Sequence, residues 1–163
     1  MMKNFLIFVI GGILGVVAGA GGMLIVFPYI FPPPQVNETV DNMVAEDVLL
    51  ETHFREDSVG QDAGHWGRGG VKIYQARDGG IIVELQEDFE VGPGPNFWLY
   101  LNGAADVNNE DDFYADSEKV KLTKLKSFSG SQVYNIDSES YQQAKSLTIW
   151  CETFGQYIAS ANL

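Results

Sequence analysis

Hydrophobic positions along this chain fall into two regimes. From Phe5 to Phe31 no residue is charged and most are apolar on every side. At a rise of about 1.5 Å per residue, the stretch Phe5 to Phe27 predicts a helix of about 35 Å, enough to cross a ~30 Å hydrocarbon layer. Beyond it the pattern changes to short runs separated by turn residues, which reads as strands. Val71 to Ala76 alternates, with Val71, Ile73 and Gln75 on one face, and meets Ile81 to Leu85 through Asp78-Gly79-Gly80. That is a hairpin turn, because glycine accepts positive φ. Phe97 to Leu101 follows a Gly92-Pro93-Gly94-Pro95 stop, and Val120 to Leu125, Val133 to Ile136 and Leu147 to Cys151 supply further strands. Phe154 to Leu163 is expected to return as an edge strand. Met43 to Leu50 reads either as a helical turn or as an extended lead-in, and Asp106 to Asp116 as a solvated acidic loop. No long amphipathic helix competes. The expected fold is therefore all-β, an antiparallel β-sandwich preceded by a single N-terminal transmembrane helix. The expected division is a transmembrane anchor at 1–31, a linker at 32–45 and the sandwich domain at 46–163.

Charge gives the helix a direction. Lys3 is the only charged side chain before Glu38, and no further Lys or Arg occurs until Arg55. This bias keeps the N-terminus in the cytoplasm and puts the domain of a single-pass membrane protein in the periplasm or outside the cell. Pro28, Pro32, Pro33 and Pro34 are expected to end the helix and stiffen its exit, with Tyr29 and Phe31 at headgroup level. Ala18-Gly19-Ala20 also offers a signal-peptidase pattern, but the apolar run continues through Phe27, which an anchor needs and a signal peptide does not. Gly11, Gly15 and Gly19 recur on one helix face, the spacing of closely packed membrane helices. The whole chain has a net charge of −12, and all 22 of its acidic residues lie beyond the apolar run, whereas Lys3 precedes it. Such a surface repels phosphate backbones, so no nucleic-acid partner is expected.

Candidate chemistry centres on two residues. A lone Cys151 cannot form an internal disulfide, and there is no CxxC pair. Alternation puts Leu147, Ile149 and Cys151 on one strand face and Thr148 and Trp150 on the other. Periodicity thus favours an inert core thiol, while a strand-end position beside Glu152 and Thr153 leaves a reactive one open. His65 stands in a glycine-rich loop, Asp62 to Gly70. Imidazole and thiolate both bind metals and haem iron, so Cys151 and His65 are candidate cofactor-binding residues for haem or a metal, and Cys151 is the candidate catalytic thiol. A loop histidine bonded to backbone is the plainer alternative. Asp106, Asn108, Glu110 and Asp112 alternate as in a calcium loop, but Asp111 and Ser117 stand where glycine and glutamate are needed. The motifs GxSxG, HExxH and GxxxxGK[ST] are missing, which leaves hydrolysis the poorest of the function classes.

A set of motifs runs in order through the chain: Phe54, Gly64-His65, Gly69 to Tyr74, Glu87-Asp88-Phe89, Gly94 to Leu101, Gln132 to Ile136 and Leu147 to Phe154. By these the chain from Thr52 to Leu163 resembles the electron-transfer DM-thirteen domain family. Most specific is the close, Leu147-Thr148-Ile149-Trp150-Cys151-Glu152-Thr153-Phe154, followed by Ser160-Ala161-Asn162-Leu163. The resemblance implies a β-sandwich associated with electron-transfer membrane modules, whose signature cysteine, here Cys151, is a redox thiol or a ligand of a prosthetic group. The family histidine near the first strand corresponds to His65. Asn96 departs from the family's usual aspartate, and the acidic stretch near Asp106 to Asp116 is an insertion. Two functions follow as expectations. One is a membrane-tethered accessory domain in extracytoplasmic redox work, with lipid around its helix and a redox protein as partner. The other is a non-catalytic ligand- or protein-binding sandwich with a structural buried cysteine and Trp66 and Trp98 in its binding loops.

Overall fold

The computed structural model describes residues 2–41 and 45–163. Helix α1 spans Met2–Ile30 and is long and apolar enough to cross a membrane. It runs through Pro28, where the sequence predicted its end. Proline costs the helix one backbone donor, yet the Phe31 N–H still reaches the Phe27 carbonyl at 2.8 Å and closes the last turn. Pro28 itself is buried where the helix meets the domain.

Ten strands and two short helices follow. In chain order they are β1 Ala45–His53, β2 Gly67–Arg68, β3 Gly70–Ala76, β4 Ile81–Leu85, β5 Glu90–Val91 and β6 Phe97–Asn102. Then come α2 Glu110–Ala115, β7 Val120–Lys124, β8 Gln132–Ile136, α3 Ser138–Gln143, β9 Ser146–Cys151 and β10 Gln156–Asn162. The strands form two four-stranded antiparallel sheets, ordered β1-β3-β4-β8 and β10-β9-β6-β7, with a small β2-β5 ladder between loops. Their inner faces meet in one core: Val71, Ile73, Val83 and Leu85 from the first sheet, Leu99, Leu101, Leu147 and Ile149 from the second. The architecture is the β-sandwich that alternation implied. The predicted hairpin is β3-β4, with Ile73 opposite Val83 and Gly79 at φ +88° in the turn.

Three segments go beyond their sequence reading. Met43 and Val44 of the expected lead-in lie outside the described residues, as does Asn42 of the linker; from Ala45 the chain is strand, so of the two readings the extended one holds and the helical turn does not. Its charged residues Glu46, Asp47 and Glu51 sit on a sheet edge, where charge guards against further pairing and also masks the strand pattern. The stretch Asp106 to Asp116 is more than a solvated loop, because it contains α2. The Asn109 side chain caps this helix by accepting from Asp112 N–H at 2.9 Å, and Glu110, Asp111 and Asp112 occupy the first turn, where negative charge suits the helix dipole. Helix α2 lowers Phe113 onto Trp150, ring centroids 3.9 Å apart and planes 11° from parallel. Third, β10 is an edge strand as expected, but a covered one: Arg55 N–H donates to the Ser160 carbonyl at 3.0 Å, and its guanidinium reaches the Val107 carbonyl at 2.8 Å and Asp106 at 2.7 Å.

The segment after α1 is fastened to the first sheet. Glu38 N–H donates to the Ser131 carbonyl at 2.9 Å, and its carboxylate accepts from Val133 N–H at 2.7 Å and pairs with Lys126 at 2.6 Å.

Candidate functional site: a pocket shared by Cys151 and His65

Cys151 ends β9, opposite Phe97 of β6 on one side and Gln156 of β10 on the other. Its side chain follows the alternation of Leu147 and Ile149 into the core and is 1% exposed. The Sγ–H donates to the Pro95 carbonyl at 3.1 Å. Burial pushes the thiol pKa up, so the resting group is a protonated thiol.

A tight loop holds His65. The Asp62 carboxylate accepts from Gly64 N–H at 2.7 Å, from His65 N–H at 2.8 Å and from the His65 ring at Nδ1, 3.0 Å away. Hydrogen bonding to His65 and these amides lowers the Asp62 pKa to about 2. A carboxylate can only accept, so Nδ1 carries the proton and, in the neutral ring, Nε2 keeps its lone pair. The loop lies close over the Gly92-Pro93-Gly94-Pro95 segment because Gly92 has no side chain. Its N–H donates to the Trp66 carbonyl at 2.9 Å, and a Cβ there would come within 2.8 Å of the Gly64 carbonyl.

These two loops and the end of β9 build one pocket of about 160 Å³, lined by Gly64, His65, Pro93 to Pro95, Phe97, Cys151 and Phe154, and by Ile25 and Tyr29 of α1. The structure therefore brings the two sequence-predicted residues to a single cavity and adds helix α1 as its lid. Asp62 was missed as a functional residue. Its signal was the Asp-x-Gly-His order, an aspartate turning back on the backbone two residues ahead. Tyr29 could not be found by local reading, since only the docking of α1 brings it here.

Neighbouring groups are otherwise engaged. Glu152 pairs with Lys121 at 2.8 Å and accepts from the Tyr100 hydroxyl. Trp98 donates its ring N–H to Asn96 at 3.0 Å and lies under Lys121. Trp66 stacks beneath Arg68. A cavity of about 160 Å³ is below the roughly 300–1,000 Å³ typical of cofactor-sized sites, and the thiol already serves the Pro95 carbonyl, so these residues do not fit a haem. Among the described residues no group of three or more His, Cys, Asp or Glu converges as a metal site.

A family model described as Electron transfer DM13 matches residues 54–163. No curated protein and no solved structure matches the chain. The family match takes in β2 to β10, the Asp62–His65 loop and Cys151, and it covers well over half of the 163 residues. This chain belongs to the Electron transfer DM13 family.

Proposed function

We propose that the chain is a membrane-tethered, extracytoplasmic electron-transfer domain whose redox group is the Cys151 thiol, with His65 as the acceptor of its proton. One observation carries this reading: Cys151 and an Asp62-oriented His65, far apart in sequence, line the same small pocket. The chemistry is thiol–disulfide exchange with a redox partner protein. The Cys151 S–H bond breaks, its proton passes to His65 Nε2, and the sulfur attacks one sulfur of the partner's disulfide. An S–S bond forms between the two proteins, and the partner's second sulfur leaves as a thiolate. In this step the Cys151 sulfur is oxidised by one electron and the leaving sulfur reduced by one. A second thiol that attacks the Cys151 sulfur expels the partner's other sulfur and completes the two-electron reduction of its disulfide, and a third thiol frees Cys151. Attack requires the Gly92-to-Asn96 loop to lift from Cys151. Asp62 holds the ring so that Nε2 faces the task, as orienting carboxylates do in other Cys–His pairs. The domain acts as an accessory to a partner rather than as a stand-alone enzyme. Its membrane tether is α1, and the sidedness follows from Lys3.

Thiol titration of the full chain, folded and then denatured, tests the proposal together with trapping of a mixed disulfide. Cys151 should react slowly while folded, faster as pH rises, and His65→Gln should slow it further. Cys151→Ser keeps a donor for the Pro95 carbonyl and should leave the fold intact while abolishing the mixed disulfide. A thiol that reacts only after unfolding, with partner reduction unchanged in Cys151→Ser, ends the redox reading. One observation favours the alternative, a binding module with a structural cysteine: the thiol is enclosed and its hydrogen bond is already made. The same titration separates the two.

A further inference from the structure

A second and larger cavity lies on the other side of the Gly94-Pro95 turn. It measures about 730 Å³, within the roughly 300–1,000 Å³ range of ligand sites. One wall is α1, presenting Ala20, Met23, Leu24, Phe27 and Pro28, with Phe31 continuing the stripe. These positions follow the i, i+3, i+4, i+7, i+8 spacing of a single helix face. The opposite wall is the end of the sandwich, where Pro95, Phe97, Leu125 and Phe128 supply the apolar surface. Ile25 and Tyr29, on the neighbouring helix face, close the Cys151 pocket instead. The last turns of α1 therefore separate from the domain along a greasy slot and touch it again beside Cys151.

The rim of the slot differs in charge from the rest of the domain. Lys124 and Lys126 stand at the cavity, in a chain of net charge −12. Lys126 is neutralised by Glu38. Lys124 is exposed and makes no ion pair with any described residue. Asn96, also on the rim, is neutral and spends its side-chain oxygen on Trp98. If Phe5 to Gly22 fills the hydrocarbon, about 27 Å at the standard rise, the slot opens at the level where acyl chains meet headgroups.

We infer that this cavity is a lipid site: one acyl chain of an anionic membrane phospholipid lies between α1 and the sandwich, with its phosphate against Lys124. The inference rests on the membrane-anchor part of the proposed function and is independent of the redox role of Cys151. Apolar walls on both sides suit a hydrocarbon chain, since every methylene taken out of water favours binding. Continuity with the membrane helix supplies the chain without desorption from the bilayer, and the uncompensated lysine selects the charge of the head.

The test uses the full chain, first by membrane fractionation and then by native mass spectrometry after extraction and exchange into phosphatidylglycerol or phosphatidylcholine nanodiscs. The expected result is a chain in the membrane fraction that retains one phospholipid, with phosphatidylglycerol preferred. Lys124→Gln should cut that preference about fivefold, the worth of one lysine near an anionic surface, and Asn96→Asp should cut it as well. Ala20→Phe, which fills the slot from the membrane helix without touching the sandwich core, should abolish retention of either lipid. A membrane-bound chain that retains no lipid, or retains it equally in Ala20→Phe, overturns the lipid site and leaves the anchor standing. Retention without headgroup preference overturns the anionic assignment. A chain found in the soluble fraction overturns the anchor reading and the lipid site with it.

Discussion

The two sheets of the sandwich share a core but treat their outer faces in opposite ways. In the first, β1-β3-β4-β8, the outer face is largely open, and its side chains pair across strands: Lys72 with Glu51 at 2.7 Å, and the Tyr74 hydroxyl with Glu84 at 2.7 Å. In the second, β10-β9-β6-β7, the outer face is roofed. Trp150, Tyr100 and Tyr157 lie under the segment that carries Val107 and Phe113, and every residue of β9 is buried. An open face needs only alternation and cross-strand pairs. A roofed face needs a second apolar layer, and here that layer comes from the most acidic stretch of the chain. Charge on the outside of α2 and an aromatic on its inside do both jobs with six residues.

That contrast can be broken most forcefully at Phe113. Phe113→Ala should cost about 3–5 kcal/mol, the usual loss for truncating a buried phenylalanine, and denaturant unfolding will measure it. A loss as small as that of a surface substitution would mean that α2 is an ornament and the second sheet is open like the first. Next in size is Tyr100→Phe, which removes the hydroxyl donated to Glu152 and should cost about 1 kcal/mol; its effect should shrink in a Glu152→Gln background.

The same pair gives the second sheet a pH dependence. Hydrogen bonds from Lys121 and Tyr100 hold the Glu152 pKa below the ordinary carboxylate value. A depressed folded pKa means that its stabilisation is complete above the unfolded value, near pH ~4.3, and is lost as pH falls through the folded value. Unfolding midpoints measured between about pH 5 and pH 2 should therefore fall less in Glu152→Gln than in the wild type. The smallest effect belongs to the first sheet. Glu51→Gln removes an exposed carboxylate from the half-buried Lys72 and should shift the unfolding midpoint little, and added salt should shrink even that.

How much of this was legible in the sequence follows from the same difference. The β3-β4 hairpin could be read because Val71, Ile73, Ile81, Val83 and Leu85 alternate with outward residues and a glycine turn joins them. β9 could be read as a strand, and its inner face as Leu147, Ile149 and Cys151, but the roof over Trp150 could not. A single phenylalanine among acidic residues carries no period, and only the tertiary fold shows that Phe113 points inward. β1 could be read only as one of two alternatives, because the charges that protect its edge mask its alternation. At the candidate site, Cys151 and His65 were found from residue type and motif. Their meeting, the clamp of Asp62 and the lid of Tyr29 depend on loop closure across Gly92 and on the docking of α1, neither of which leaves a local pattern.

The fastening of Glu38 to Ser131, Val133 and Lys126 has a bearing on how such a domain meets other proteins. From the end of α1 to Glu38 the tether is residues 31–37, at most about 25 Å of extended chain; Gln35 and Val36 already lie against Gly130, and Glu38 is pinned. With α1 in a bilayer, the sandwich has almost no leash. A domain held this way would keep one end turned to the lipid, so a partner anchored in the same bilayer would have to present its own surface at that height.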